Sequence, residues 1–131
     1  MDQVAAAEFA NRIGRFYQTM ATQVGDYLHQ NIGVLGRDQV AVLSGDQARL
    51  ISYANTFYSL SDAIAFEGAD VYFTAVQDAT GSITDSLKHI DKVDKVISIS
   101  ASVITLAGGI VSANPALITT ALLALKGQVK G

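Results

Sequence analysis

The sequence predicts an all-α protein, an antiparallel bundle of about four helices that ends in an apolar helical hairpin. Apolar residues recur at spacings of three and four through most of the 131 residues, which is the period of an amphipathic helix. No charged residue occurs from Val96 to Leu125, and Asn114-Pro115, a typical helix start, divides this stretch into two arms. The length fits one compact unit, so residues 1–131 are predicted to form a single helical-bundle domain.

The first helix is predicted over residues 1–32. One stripe of its surface is apolar, whereas Glu8 and Arg12 lie four apart on another face, where they can form a weak ion pair. The three glycines from Gly33 to Gly45 interrupt the period, so this stretch is predicted to be a connecting loop. The apolar stripe comprises Val4, Phe9, Ile13, Phe16, Met20, Val24, Tyr27 and Leu28.

A second helix is predicted over residues 45–79. Ser44 and Gln47 have the spacing of a capping box, in which the serine hydroxyl accepts a hydrogen bond from a free amide of the first turn. Apolar and small residues then alternate at steps of four and three, and such stripes usually form packed cores rather than cofactor sites. The stripe comprises Leu50, Ala54, Phe57, Ser61, Ile64, Gly68, Val71 and Ala75.

The third and fourth helices are predicted over residues 82–113 and 115–126. Thr80-Gly81-Ser82 is expected to end the second helix and to provide the N-cap of the third. Lys126-Gly127 is expected to close the fourth, because a cation and a glycine suit a helix C-terminus. One face of the third helix comprises Ile83, Leu87, Ile90, Asp94, Ile97, Ala101, Ile104 and Gly108.

The charge-free hairpin is the most informative feature, and it fits two environments. Its first arm, about 18 residues long, is just sufficient to span a bilayer, but the second, about 12 residues, is too short for a core of about 30 Å. Serines recur through the first arm and three other amphipathic helices can cover it, which favours a buried bundle helix. In outline the layout is similar to helical pore-forming proteins such as colicin-type channel domains, and this resemblance implies membrane insertion as the alternative.

Small side chains in the hairpin predict that another helix approaches it closely. Gly108-Gly109 lies in an apolar run without a nearby basic residue, so close packing is a better interpretation than a phosphate-binding loop. The predicted interaction or packing surface comprises Ala101, Thr105, Gly108, Gly109, Ala113, Leu117 and Ala121.

Composition and motifs argue against several classes of function. Nine basic and twelve acidic residues give a net charge of −3 without a Lys/Arg cluster, so nucleic acid is not an expected partner. The chain has no cysteine, no phosphate-binding loop and no nucleophile motif. Its two glutamates are too few for a carboxylate-bridged metal site in a bundle. Neither catalytic residues, a metal nor a cofactor is therefore predicted.

These observations favour a non-enzymatic interaction protein that self-associates through its apolar hairpin. The expected partner is a second copy of the chain, in a homo-oligomer, or another protein. The alternative is a membrane-active, pore-forming-like protein that inserts residues 96–125 into a bilayer. Met1-Asp2-Gln3 does not begin a signal-peptide pattern, so a cytoplasmic location is the default expectation, with membrane association as the alternative.

Overall fold

The structure, a computed structural model, describes residues 3–59, 75, 78–79, 81–83, 85 and 92–130. Four long helices account for most of these residues: α1 (Gln3–Asn31), α2 (Arg37–Ser59), α3 (Val93–Val111) and α4 (Pro115–Lys130). Every regular element in the described ranges is helical, which confirms the predicted all-α class.

The helices are arranged as two pairs. In the first pair, Gly25 of α1 meets Gln47 of α2, whereas Gly14, earlier in α1, meets Tyr58, later in α2, so the two helices are antiparallel. In the second pair, α3 and α4 pack against each other, and α3 also contacts both helices of the first pair. The predicted helical bundle with a C-terminal hairpin is therefore confirmed.

The first helix forms as its apolar period predicts. It ends at Asn31, next to the predicted end, where the side-chain amide donates to the carbonyl oxygen of Tyr27 at 2.8 Å. The backbone amides of Val34 and Leu35 donate to the Asn31 carbonyl oxygen at 2.9 and 3.0 Å and close the last turn. The predicted stripe is largely buried, with Phe9, Ile13, Phe16, Met20 and Val24 inside.

The start of α2 corrects the sequence prediction. This helix begins at Arg37 rather than at residue 45, so the predicted loop over 33–44 is wrong for most of its length. The backbone amide of Gly36 donates to Oε1 of Gln39 at 2.8 Å, which is the return half of a capping box at the observed start.

The predicted capping box lies inside α2, where Ser44 and Gly45 are helical. Leu43 and Leu50 are fully buried and lie seven residues apart, so an uninterrupted helix places both on the same face. Burying a leucine stabilises by about 2 kcal/mol, whereas a glycine inside a helix costs about 1 kcal/mol. Packing of Leu43 therefore outweighs the local signal of Ser44-Gly45.

Most of the second half of the predicted second helix, between residues 60 and 79, lies outside the described residues. Residues 78–79 are helical, and so are Gly81 and Ser82, where a break is predicted. The break is therefore wrong at these two positions. The neighbouring Ile83 is fully buried, so its packing favours the helical conformation of Gly81 and Ser82.

A continuous third helix over 82–113 is also wrong. Lys92 is extended, with φ −100° and ψ 123°, and α3 begins at the next residue. The buried face of α3 also differs from the predicted one. Asp94 and Ala101 of the predicted face are exposed. Ile97 and Ile104 of that face are partly buried against the core, and Val96 and Val103, which lie beside it, are buried. The other buried residues of α3 are Ile99, Ser100, Leu106, Ala107, Gly109 and Ile110.

The turn between α3 and α4 has a defined geometry. The backbone amide of Asn114 donates to the Gly109 carbonyl oxygen at 2.9 Å, and that of Ala113 donates to Ile110 at 3.2 Å. These two bonds form a Schellman motif, in which Ala113 has the left-handed φ of 52° that usually requires glycine. Oδ1 of Asn114 accepts from the amide of Leu117 at 3.1 Å, which confirms the predicted N-cap.

The fourth helix is longer than predicted. It extends to Lys130 rather than ending at residue 126. Leu125 is buried and Val129, one turn later, packs against the core, so burial continues past Gly127 and sustains the helix. The remaining buried residues of its inner face are Ile118 and Ala121.

Candidate functional site

The exposed face of the C-terminal hairpin is the candidate functional site. Its exposed positions between Val96 and Leu125 carry no charge, and the exposed Asp94 and Lys126 lie just outside this stretch, whereas about 25–35% charged residues is usual for the surface of a soluble domain. Leu123, at its centre on α4, is 66% exposed. The residues of this hairpin surface are Ser98, Ala101, Thr105, Thr119, Thr120, Leu123 and Ala124.

Part of the predicted interaction surface lies inside the protein. Gly109 and Ala121 are buried and Leu117 is half-buried. A Cβ atom added at Gly109 would lie 3.1 Å from both the backbone nitrogen and Cγ1 of Ile118, so α3 and α4 approach closely at this point. Gly108 faces the first pair instead, since a Cβ atom there would lie 3.6 Å from the Tyr53 hydroxyl.

The other predicted residues face outward. Ala101 and Thr105 are exposed on α3, and Ala113 is exposed in the turn. A step of four residues advances by about 40° around a helix, so two such steps separate the directions of Ala101 and Gly109 by about 80°. Ala101 therefore faces solvent, whereas Gly109 faces the core. The structure therefore separates the predicted set into an internal packing contact and an outward face.

A buried hydrogen bond joins the hairpin to the first pair. The Tyr17 hydroxyl, on α1, donates to the carbonyl oxygen of Val103, on α3, with 2.6 Å between the oxygens. Tyr17 is fully buried, and its ring lies 5.2 Å from the rings of Phe16 and Phe57 and 6.3 Å from that of Tyr53. Burial, with a smaller effect from Tyr53, raises the pKa of the Tyr17 hydroxyl well above 10.0.

The sequence pattern does not single out Tyr17, although its spacing was a usable signal. It lies four residues after Ile13 and three before Met20, which are both in the apolar stripe of α1. A tyrosine at such a position buries its ring and then needs a partner for its hydroxyl. The partner, Val103, lies on a helix that no local pattern connects to α1.

Asp46 is a second buried polar group that the sequence pattern does not indicate. It is only 5% exposed, and its Oδ1 lies 3.6 Å from Nη1 of Arg49, one turn later on α2. Burial raises the pKa of the Asp46 carboxyl, and the positive charge of Arg49 partly opposes this change.

One helix in the described part of the chain, α3, is long and apolar enough to cross a membrane by length and composition alone. Half of its apolar stretch is buried within the protein. Membrane insertion would therefore require its removal from α1 and α2, including loss of the hydrogen bond between Tyr17 and Val103.

The described residues contain no group of three or more His, Asp and Glu side chains that could hold a metal ion. Asp26 and His29, which lie three apart in α1, are both exposed.

Comparison with known protein families, with curated proteins and with solved structures finds no match to this chain. The described residues form an all-α bundle with a C-terminal hairpin that has no charged residue from Val96 to Leu125.

Proposed function

We propose that this protein is a non-enzymatic interaction protein that self-associates through the hairpin surface. The observation that supports this proposal is the absence of charge from that surface, on which Leu123 is 66% exposed. Covering apolar surface stabilises by about 25 cal/mol per Å², and no charged group on this face would have to lose its water. A second copy offers the same uncharged face, so a two-fold contact is self-complementary.

Small side chains on the hairpin surface suit a helix partner. Ala101 and Thr105 on α3, and Ala124 on α4, are exposed and short, so a neighbouring helix can approach their backbones closely. The hydroxyl of Thr105 donates to the Ala101 carbonyl oxygen at 3.0 Å, so this polar group is already paired when water is removed.

Sedimentation equilibrium at protein concentrations of roughly 5–200 µM tests self-association. We expect the wild type to form a dimer or higher oligomer and Leu123→Glu to be a monomer, because the variant would bury an unpaired carboxylate in the contact. Val42→Glu is the matched control: it places the same charge on α2 at a valine that is 44% exposed. It should retain the wild-type mass.

A monomeric wild type throughout this range would contradict the proposal. Equal loss of association in Leu123→Glu and Val42→Glu would also contradict it, because the contact would then not be specific to the hairpin surface.

The alternative function is membrane insertion of the hairpin, which the length and composition of α3 favour. Lys92 and Lys95 precede its apolar part and Lys126 follows the charge-free stretch, so both flanks of an inserted hairpin carry positive charge. The test is dye release from vesicles of mixed neutral and anionic phospholipid at micromolar protein. Release that is faster for Tyr17→Phe than for wild type would support insertion, since that substitution removes the bond holding α3 to α1. Intact vesicles with both proteins would contradict insertion.

A further inference from the structure

A groove between α2 and α3 lies apart from the hairpin surface. Its volume is about 500 Å³, which is within the range of small-molecule sites, about 300–1,000 Å³. Among the described residues, four that line the groove follow one stripe of α2, at successive steps of three, one and three, and a fifth belongs to α3. The lining residues are Arg49, Ser52, Tyr53, Thr56 and Ile104.

The polar side of the groove is suited to an anion. The Arg49 side chain is 68% exposed, and its ion pair with Asp46 is 3.6 Å long, which exceeds hydrogen-bond distance. Its N–H groups therefore remain available for a carboxylate or phosphate, which arginine binds through two parallel hydrogen bonds. Ser52 and Tyr53 line the same groove, and each carries a hydroxyl that can donate a hydrogen bond.

The remaining groups fix the orientation of such a ligand. Thr56 donates its hydroxyl hydrogen to the Ser52 carbonyl oxygen at 3.0 Å, so this hydrogen is not available to a ligand. Ile104 and the ring of Tyr53 provide apolar contact, and the Tyr53 ring is held by stacking on Phe57 at 6.4 Å. A charged group would thus lie at Arg49 and an apolar group at Ile104.

We propose that this α2–α3 groove binds a small organic anion, with its carboxylate or phosphate on Arg49 and its apolar part against Ile104. None of the described residues that line this groove belongs to the hairpin surface, although Ile104 precedes Thr105 of that surface on α3. Since Arg49 is largely exposed and Asp46 lies nearby, binding is expected in the millimolar range.

The test is a titration with phenyl phosphate followed by amide chemical shifts in NMR. We expect saturable shifts at Thr56, Ile104 and the Arg49 Nε–H. Arg49→Gln should bind at least about tenfold more weakly, because it loses the charge-assisted bonds. Arg37→Gln, which removes an exposed arginine from the start of the same helix, should bind like the wild type.

Other probes separate the parts of the ligand. Benzoate in place of phenyl phosphate compares the two anionic groups, phenol removes the charge, and inorganic phosphate removes the apolar part. Phenol and inorganic phosphate should each bind at least about tenfold more weakly than phenyl phosphate. Ser52→Ala, which keeps the Asp46–Arg49 pair, should weaken binding about threefold and decides the outcome if Arg49→Gln does not fold. Shifts that do not saturate, or equal affinities for wild type, Arg49→Gln and Ser52→Ala, would overturn the proposal.

Discussion

Replacing Tyr17 by phenylalanine tests the contact that holds the hairpin to α1. The substitution removes one oxygen atom and keeps the ring among Phe16 and Phe57. It deletes the bond from the Tyr17 hydroxyl to the Val103 carbonyl oxygen, which spans 86 residues of sequence. A lower free energy of unfolding is therefore expected without a change of fold.

The magnitude follows from the surroundings of the bond. It is short, at 2.6 Å, and fully buried, so the loss should lie at the upper end of the usual 0.5–1.5 kcal/mol. The Val103 carbonyl oxygen lies inside α3 and still accepts from an amide one turn later, so no acceptor is left unpaired. We expect a loss of about 1.5 kcal/mol, which is about tenfold in the unfolding constant.

Urea unfolding followed by circular dichroism at 222 nm measures this change at equal protein concentration. With a slope of about 1.5 kcal/mol/M, the midpoint should fall by about 1 M and the slope should stay constant. Tyr58→Phe is the matched control, because the Tyr58 hydroxyl donates to Oε1 of Gln18 at 2.9 Å on the surface. Water can replace that bond, so its loss should cost less than about 0.5 kcal/mol.

The pH dependence gives a second readout of Tyr17. Its pKa is higher in the folded protein than the ordinary value of 10.0, so the folded state binds more protons than the unfolded state above pH 10. Stability should therefore fall as the pH rises above 10, and Tyr17→Phe should reduce this alkaline loss. Equal midpoints for Tyr17→Phe and Tyr58→Phe at pH 7, with equal alkaline slopes, would refute the reasoning.

Three further substitutions are measured by the same urea unfolding. Gly109→Ala should destabilise by about 1 kcal/mol, because crowding against Ile118 outweighs the better helix propensity of alanine. Ala113→Gly should stabilise by about 0.5–1 kcal/mol, since it relieves the left-handed φ of 52°. Asp46→Asn should stabilise at pH 7 and lose this advantage in acid: the raised pKa of Asp46 means that the folded state binds more protons, so its ionisation lowers stability as the pH rises.

Each of these substitutions has a control of the same type. Gly45→Ala lies in α2 with open space around the added Cβ atom, so it should stabilise by about 1 kcal/mol. Ala116→Gly, in the first turn of α4, should destabilise, unlike Ala113→Gly. Asp26→Asn, on the exposed face of α1, should show no comparable gain at pH 7. Changes of the same sign in a variant and its control would contradict the local explanation.

The helical period predicts the buried faces of α1 and α2, because burial is repeated at every turn of these helices. Leu50, Ala54 and Phe57 of α2 are buried in the core, as their spacing predicts. Helix ends are less predictable, since several local signals compete with packing elsewhere. Ser44 has the chemistry of a helix start, yet the buried Leu43 continues the helix through it.

The candidate site was only partly predictable for a geometric reason. Small residues at a spacing of four, such as Ala101 and Gly109, drift around the helix and reach different surroundings. The backbone is extended at Lys92, and no proline or glycine near it marks the start of α3 in the sequence. The bond from Tyr17 to Val103 depends on how two distant helices pack, which a local pattern does not encode.

The distance along the chain between Tyr17 and Val103 has a consequence for the order of folding. Each helical pair is closed by nearby residues, whereas docking the pairs closes a loop of 86 residues, a loss of chain entropy of about 4 kcal/mol. The local pairs should therefore form first and dock afterwards. Contacts between the pairs would then affect the unfolding rate more than the folding rate, and Tyr17→Phe should mainly shorten the lifetime of the folded protein.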